Sequence, residues 1–107
     1  MNNKYFAKKQ IYKGKKFDSK KELNRFMILE QLEKENKIFN LELHPVFPLI
    51  VNGKKIGRYT ADFRYRDIYG NIIVEDVKSK ITKTRDYMLR KKILATYSPP
   101  IEIREIL

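Results

Sequence analysis

Residues 71–80 read NIIVEDVKSK. Ile72, Ile73 and Val74 are strand formers, and the run carries straight into Glu75, Asp76, Val77 and Lys78. Successive side chains on a strand point to opposite faces. Asp76 and Lys78 therefore share one face, and Glu75 and Val77 share the other.

The partner of this strand is set by the turn before it. Ile68-Tyr69-Gly70 reads as a three-residue hairpin loop, with Gly70 where positive φ is needed and Asp67 and Asn71 closing it. That register puts Arg64 opposite Val74, Asp62 opposite Asp76 and Thr60 opposite Lys78. Directly opposed side chains lie on one face with Cβ atoms roughly 5 Å apart. Two carboxylates at that separation repel, and a divalent cation between them is the simplest remedy, because hard cations take carboxylate oxygens. Asp62 and Asp76 are thus candidate ligands, with Lys78 beside them and Glu75 on the far side. A slip of one residue would exchange Glu75 for Asp76. The bland alternatives are a salt bridge between Asp62 and Arg64, and a solvated strand end for Asp76 and Lys78.

Around this hairpin the chain alternates helix and strand signals. Residues 19–36 read as a helix, capped by Asp18 or Ser19 and stopped at Asn36. Ser19-x-x-Glu22 fits a capping box, which would turn Glu22 back to the helix start. Glu22 also lies on the apolar stripe with Phe26 and Leu29, which would turn it inward toward a metal held by the sheet. Pro45 and Pro48 indicate an edge or bulged strand near 43–51. Asn52-Gly53 is the strongest hairpin signal, leading into a strand over 55–67 that is broken near Gly57. The segment KTRDYMLRKKILATY (83–97) reads as a second helix ended by Pro99-Pro100, and IEIREIL (101–107) reads as a final strand. The expected order is α-β-β-β-α-β, a mixed α/β domain with a central mixed sheet flanked by helices. One domain spans 1–107, with 1–16 a basic arm containing a short extended piece at residues 10–14.

Composition narrows the function. The chain has 107 residues, no cysteine and a net charge of +11. Disulfides and thiolate metal sites are thereby excluded. No apolar run suits a bilayer span or a signal peptide, so the expected setting is soluble and cytoplasmic, without a membrane partner. Residues 1–22 carry eight lysines against Asp18 and Glu22, a net of +6. Residues 78–92 carry Lys78, Lys80, Lys83, Arg85, Arg90, Lys91 and Lys92 against Asp86, again +6. Residues 23–77 balance to zero. Two basic segments flanking a neutral core suit a polyanion such as DNA, although a charged surface also serves solubility. Neither segment is the aromatic-rich amphipathic helix of a membrane-surface protein.

An acid on the first helix, then Asp62, then Asp76-Val77-Lys78 after a hairpin resembles the PD-(D/E)XK nuclease superfamily. The stretches FDSKKE, LELHP, YTADFRY and VEDVKSK, followed by a Lys-rich helix, are similar to a small phage-encoded family of endonuclease-like proteins. That family is in turn similar to phage-type endonucleases, Holliday-junction resolvases and the transposon-end endonuclease. Three positions depart from the pattern. Ala61 stands where Pro is usual. Asp76 stands where Glu is more frequent, with Glu75 beside it, which leaves the ligand choice between the two open. His44 precedes Pro45 where related nucleases often have Gln, and a structural or DNA-facing role suits it better than catalysis.

The resemblance implies a restriction-endonuclease-like core and a Mg²⁺- or Mn²⁺-dependent DNA endonuclease, structure-selective on branched or recombining phage DNA and acting in the host cytoplasm. It implies Glu22, Asp62, Asp76 and Lys78 as catalytic residues. Asp62, Asp76, the Val77 carbonyl and Glu22 would hold the metal, and no other small-molecule cofactor is expected. Lys78 would orient the water or stabilise phosphate charge. Lys80, Lys83, Arg85, Arg90, Lys91 and Lys92 would clamp phosphates after the site, and Lys15 and Lys16 before it. Tyr5, Phe6 and Tyr12 could stack on exposed bases or simply pack. Symmetric cutting of two strands favours a homodimer. The alternative is an inactive nucleic-acid-binding or host-enzyme-docking phage protein on the same fold.

Overall fold

A computed structural model describes residues 9–78 and 84–107. In chain order its elements are β1 (Gln10–Tyr12), β2 (Lys15–Phe17), α1 (Lys20–Lys34), β3 (Ile38–Leu43), β4 (Val46–Val51), β5 (Lys54–Thr60), β6 (Phe63–Asp67), β7 (Ile72–Val77), α2 (Arg85–Ala95) and β8 (Ile103–Ile106). The protein is a small mixed α/β domain. Its central sheet has the order β3-β6-β7-β8, with β7 and β8 parallel and the other two pairings antiparallel.

Alternation along β6 and β7 sorts the core into two layers. Phe63 and Tyr65 turn to one face and join Phe17, Phe26, Leu29 and Ile38, which brings α1 onto that side. Val74 turns to the other face and joins Tyr87 and Leu94 of α2, Ile103 of β8, and Phe47, Leu49, Tyr59 and Ala61. Both helices start at side-chain caps: Ser19 Oγ accepts from the Glu22 amide at 3.0 Å, and Thr84 Oγ1 from the Tyr87 amide at 3.2 Å. Each cap satisfies an amide the helix itself leaves unpaired. Asn36, at φ +59, lies just past the end of α1, where the stop was expected.

The hairpin around Gly70 has the expected register, with Arg64 opposite Val74. Gly70 has φ +82, and Asp67 Oδ1 accepts from the amides of Tyr69 and Asn71, closing the loop. The Asn52-Gly53 turn also forms, with both residues at positive φ, and joins β4 to β5.

The strand assignments are corrected. The strand over 55–67 is two strands, β5 and β6, divided at Ala61-Asp62; near Gly57 there is only a bulge opposite Leu49 and Ile50. Thr60 consequently pairs with Val46 and not with Lys78. The strand near 43–51 is likewise split, into the end of β3 and all of β4. The described part of the basic arm is a β1–β2 hairpin, and Tyr12 packs on Phe26 of α1 with ring centroids 6.1 Å apart. The element order therefore carries four more strands than α-β-β-β-α-β. Among the described residues no helix is long and apolar enough to cross a membrane.

Candidate metal centre

The two strand breaks coincide in space and build the site. His44 adopts φ +52, and Pro45 follows it without an amide hydrogen. The His44 amide donates to the Asp62 carbonyl at 2.9 Å, and the Ala61 amide to the Pro45 carbonyl at 3.0 Å. A long antiparallel ribbon, β3–β4 against β5–β6, is thus kinked once across both strands. One half stays in the central sheet. The other half, β4–β5, leaves it and packs against α2. The kink displays His44 and Asp62 at the end of β7, beside Asp76. Such local irregularities commonly re-aim side chains next to functional sites.

Asp62 and Asp76 are held by reciprocal bonds. Asp76 Oδ1 accepts from the Asp62 amide at 2.9 Å, and Asp62 Oδ2 accepts from the Val77 amide at 2.7 Å. Each carboxylate spends one oxygen on fixing its own direction. The second oxygen of Asp76 is buried and has no hydrogen-bond partner among the described residues. Lys78 Nζ stands 3.8 Å from it, beyond a good hydrogen bond. A buried carboxylate oxygen left unpaired is costly, so this atom calls for a cation or a proton. The donor set fits a divalent ion.

Glu22 divides its two oxygens between the helix start and the cleft. It is 4 % exposed. Its Oε2 accepts from the Asp18 amide at 3.3 Å, close to capping-box behaviour, while Oε1 meets His44 Nε2 at 2.9 Å. One ligand atom each from Glu22, His44 and Asp62 lie within 4.8 Å of one another. In the sequence His44 is marked only as a lone histidine before a proline between two strand segments; the fold brings it against Glu22.

Lys78 has two further neighbours. Its ammonium sits 4.1 Å from the centroid of the Tyr87 ring, and its carbonyl accepts from Lys21 Nζ at 3.1 Å. The Tyr87 hydroxyl donates to Glu105 Oε2 at 2.7 Å, which fixes the ring under the lysine. A cation over an aromatic face is stabilised and positionally restrained.

Glu75 faces away, as alternation requires. It is 0 % exposed and lies on the α1 side of the sheet. Arg25 grips it bidentately, Nε to Oε1 at 2.8 Å and Nη2 to Oε2 at 2.7 Å, and Tyr65 donates its hydroxyl to Oε2. Burial and the bond to Glu75 push the Tyr65 phenol up to about 12, so it remains a donor at neutral pH. Glu75 ties α1 to β7, and Asp76 is the acid that shares the cleft with Asp62.

Burial is the largest cause raising the pKa of each cleft acid: Glu22 and Asp62 move up, and Asp76 is pushed up to about 6. Lys78 opposes the shift at Asp76, and Glu22 adds to it. A raised folded-state pKa means the native state binds more protons than the unfolded state, so stability falls as pH rises through that window. The metal-free protein is expected to lose on the order of 2–3 kcal/mol between about pH 4 and pH 6 from Asp76 alone. Melting temperatures measured across that range should fall, millimolar Mn²⁺ or Mg²⁺ should recover the loss at neutral pH, and Asp76→Asn should flatten the profile. A melting temperature that rises through this window in metal-free wild type would contradict the electrostatics of the cleft.

The described residues proposed to bind phosphate lie on two elements, β2 and α2. Lys15 and Lys16 are exposed on β2, and Arg85, Arg90 and Lys92 are exposed on α2. Lys91 is half-buried and pairs with Glu105 at 3.3 Å. Arg64 pairs with Glu42 rather than with Asp62. Lys80, Lys83, Tyr5 and Phe6 lie outside the described residues.

A fold of this kind with a carboxylate-rich kink defines a small α/β domain carrying a candidate cation site. A family model described as "Protein of unknown function (DUF1064)" matches residues 2–105, and the chain belongs to that family. No curated protein and no solved structure matches it.

Proposed function

We propose that this chain is a metal-dependent DNA endonuclease of PD-(D/E)XK type on a restriction-endonuclease-like core. The observation that carries the proposal is the buried Asp76 oxygen beside Asp62, which accepts no hydrogen bond among the described residues and has Lys78 at 3.8 Å. A protein that only bound DNA would gain nothing from acids at this spot, since they repel phosphate unless a cation intervenes.

Asp62, Asp76 and Glu22, with the carbonyl of Val77, would hold Mg²⁺ or Mn²⁺. When bound, the ion supplies Lewis-acid polarisation of a phosphoryl oxygen and acidifies a water. The chain's own groups do the rest. The amides of Asp62 and Val77 fix the two carboxylates. Lys78, restrained by the Tyr87 ring, brings its ammonium toward the attacked phosphate and neutralises developing charge. The exposed cations of β2 and α2 bind backbone phosphates without reading bases. The resemblance to resolvases points to branched or recombining DNA as substrate.

Linear, nicked and four-way-junction DNA incubated with Mg²⁺, Mn²⁺ or EDTA tests this. Metal-dependent cleavage, fastest on the junction, is expected. Equal rates on all three would remove the structure selectivity. Tight binding without cleavage would replace the reading with a binding protein on the same fold.

A further inference from the structure

We propose that His44 is a metal ligand, and that the Glu22–His44–Asp62 cluster holds a first-row transition ion, Mn²⁺ or Zn²⁺, more tightly than Mg²⁺. The inference rests on the reading of this cleft as a metal site, but not on DNA cleavage.

The donors come from three separate elements. Glu22 is in the first turn of α1, His44 in the β3–β4 kink, and Asp62 in the β5–β6 kink. Their ligand atoms lie within 4.8 Å of one another. Donors about 2.1 Å from one ion stand roughly 3.0–4.2 Å apart, so small side-chain rotations close the cluster. His44 is placed by its backbone, through the 2.9 Å bond from its amide to the Asp62 carbonyl. Its ring is directed at Glu22 by the 2.9 Å contact between Nε2 and Oε1. Without metal that contact is a hydrogen bond, and an ion takes the place of its proton. The adjoining Asp76 oxygen is buried and accepts no hydrogen bond among the described residues, and its one cation, Lys78, stands 3.8 Å away, against three clustered carboxylates.

Ligand chemistry sets the selectivity. Mg²⁺ prefers an all-oxygen shell, whereas imidazole nitrogen suits borderline transition ions. An imidazole beside two carboxylates therefore shifts preference away from Mg²⁺.

The chain contains one histidine, which makes the test specific. In tag-free protein loaded with Mn²⁺, pulsed EPR should show ¹⁴N coupling from an imidazole, and His44→Asn should abolish it. Asparagine tolerates the positive φ at this position, so the kink is retained. Calorimetry with each ion alone should show Mn²⁺ and Zn²⁺ affinity falling roughly 10–100-fold in His44→Asn, with Mg²⁺ changed by less than about threefold. Bound Mn²⁺ without imidazole coupling would overturn the proposal, as would an equal loss for all three ions. A wild type that binds none of them would overturn both this proposal and the metal reading. Imidazole coupling in a protein that cleaves no DNA would leave His44 as a ligand and remove the nuclease.

Discussion

If the proposed nuclease reading holds, Asp62→Asn and Asp76→Asn are expected to abolish cleavage, lowering the rate by about 10³-fold or more, because each would remove a charge from the proposed cation site. Lys78→Ala should lose cleavage by roughly 10²–10⁴-fold while still binding the ion, since the role proposed for its ammonium is on phosphate or water. The pair of phenotypes separates metal binding from chemistry. Calorimetry with Mn²⁺ should report loss of the ion in the two asparagine variants and its retention in Lys78→Ala. Undiminished cleavage in Asp76→Asn would contradict the assignment, because Glu75 is held by Arg25 and Tyr65 on the opposite face and is not placed to substitute.

The largest effect on stability is expected at Arg25. Its guanidinium is the only cation paired with Glu75 among the described residues, and Glu75 is 0 % exposed. Arg25→Ala strands a charge in the core, and breaking a buried pair from one side typically costs about 3–5 kcal/mol. That is a large share of the total stability of a domain this small. Urea unfolding should show the midpoint falling accordingly. The double variant Arg25→Met with Glu75→Leu removes both charges and should recover most of the loss, although Tyr65 then forfeits its acceptor. A cost below about 1 kcal/mol for Arg25→Ala would mean that the pair contributes little to joining α1 to β7.

The distribution of what sequence did and did not reveal has physical causes. The Gly70 loop is short, and its length fixes the register of β6 against β7. The opposition of Asp62 and Asp76 and the turn of Glu75 to the other face of the sheet followed from that register alone. The kink did not follow. Residues 55–67 have strand character throughout, and nothing local marks Ala61-Asp62 as a break. The break is created by the facing strand, where His44 and Pro45 depart from the ladder, and by the apolar face of β4–β5 finding α2. Thr60 was therefore assigned the wrong partner. Glu22 looked like a choice between a cap and a buried acid, but a carboxylate has two oxygens and this one divides them. Arg25 and Glu75 are fifty residues apart in sequence, so no local pattern could pair them.

The most direct test of the central claim is strand scission of end-labelled four-way-junction DNA by the purified wild-type chain at neutral pH, with Mn²⁺ in one arm and EDTA in the other. Discrete cleavage products in the Mn²⁺ arm and intact DNA in the EDTA arm are predicted. DNA that stays intact in both arms, while remaining bound by the protein, would contradict it.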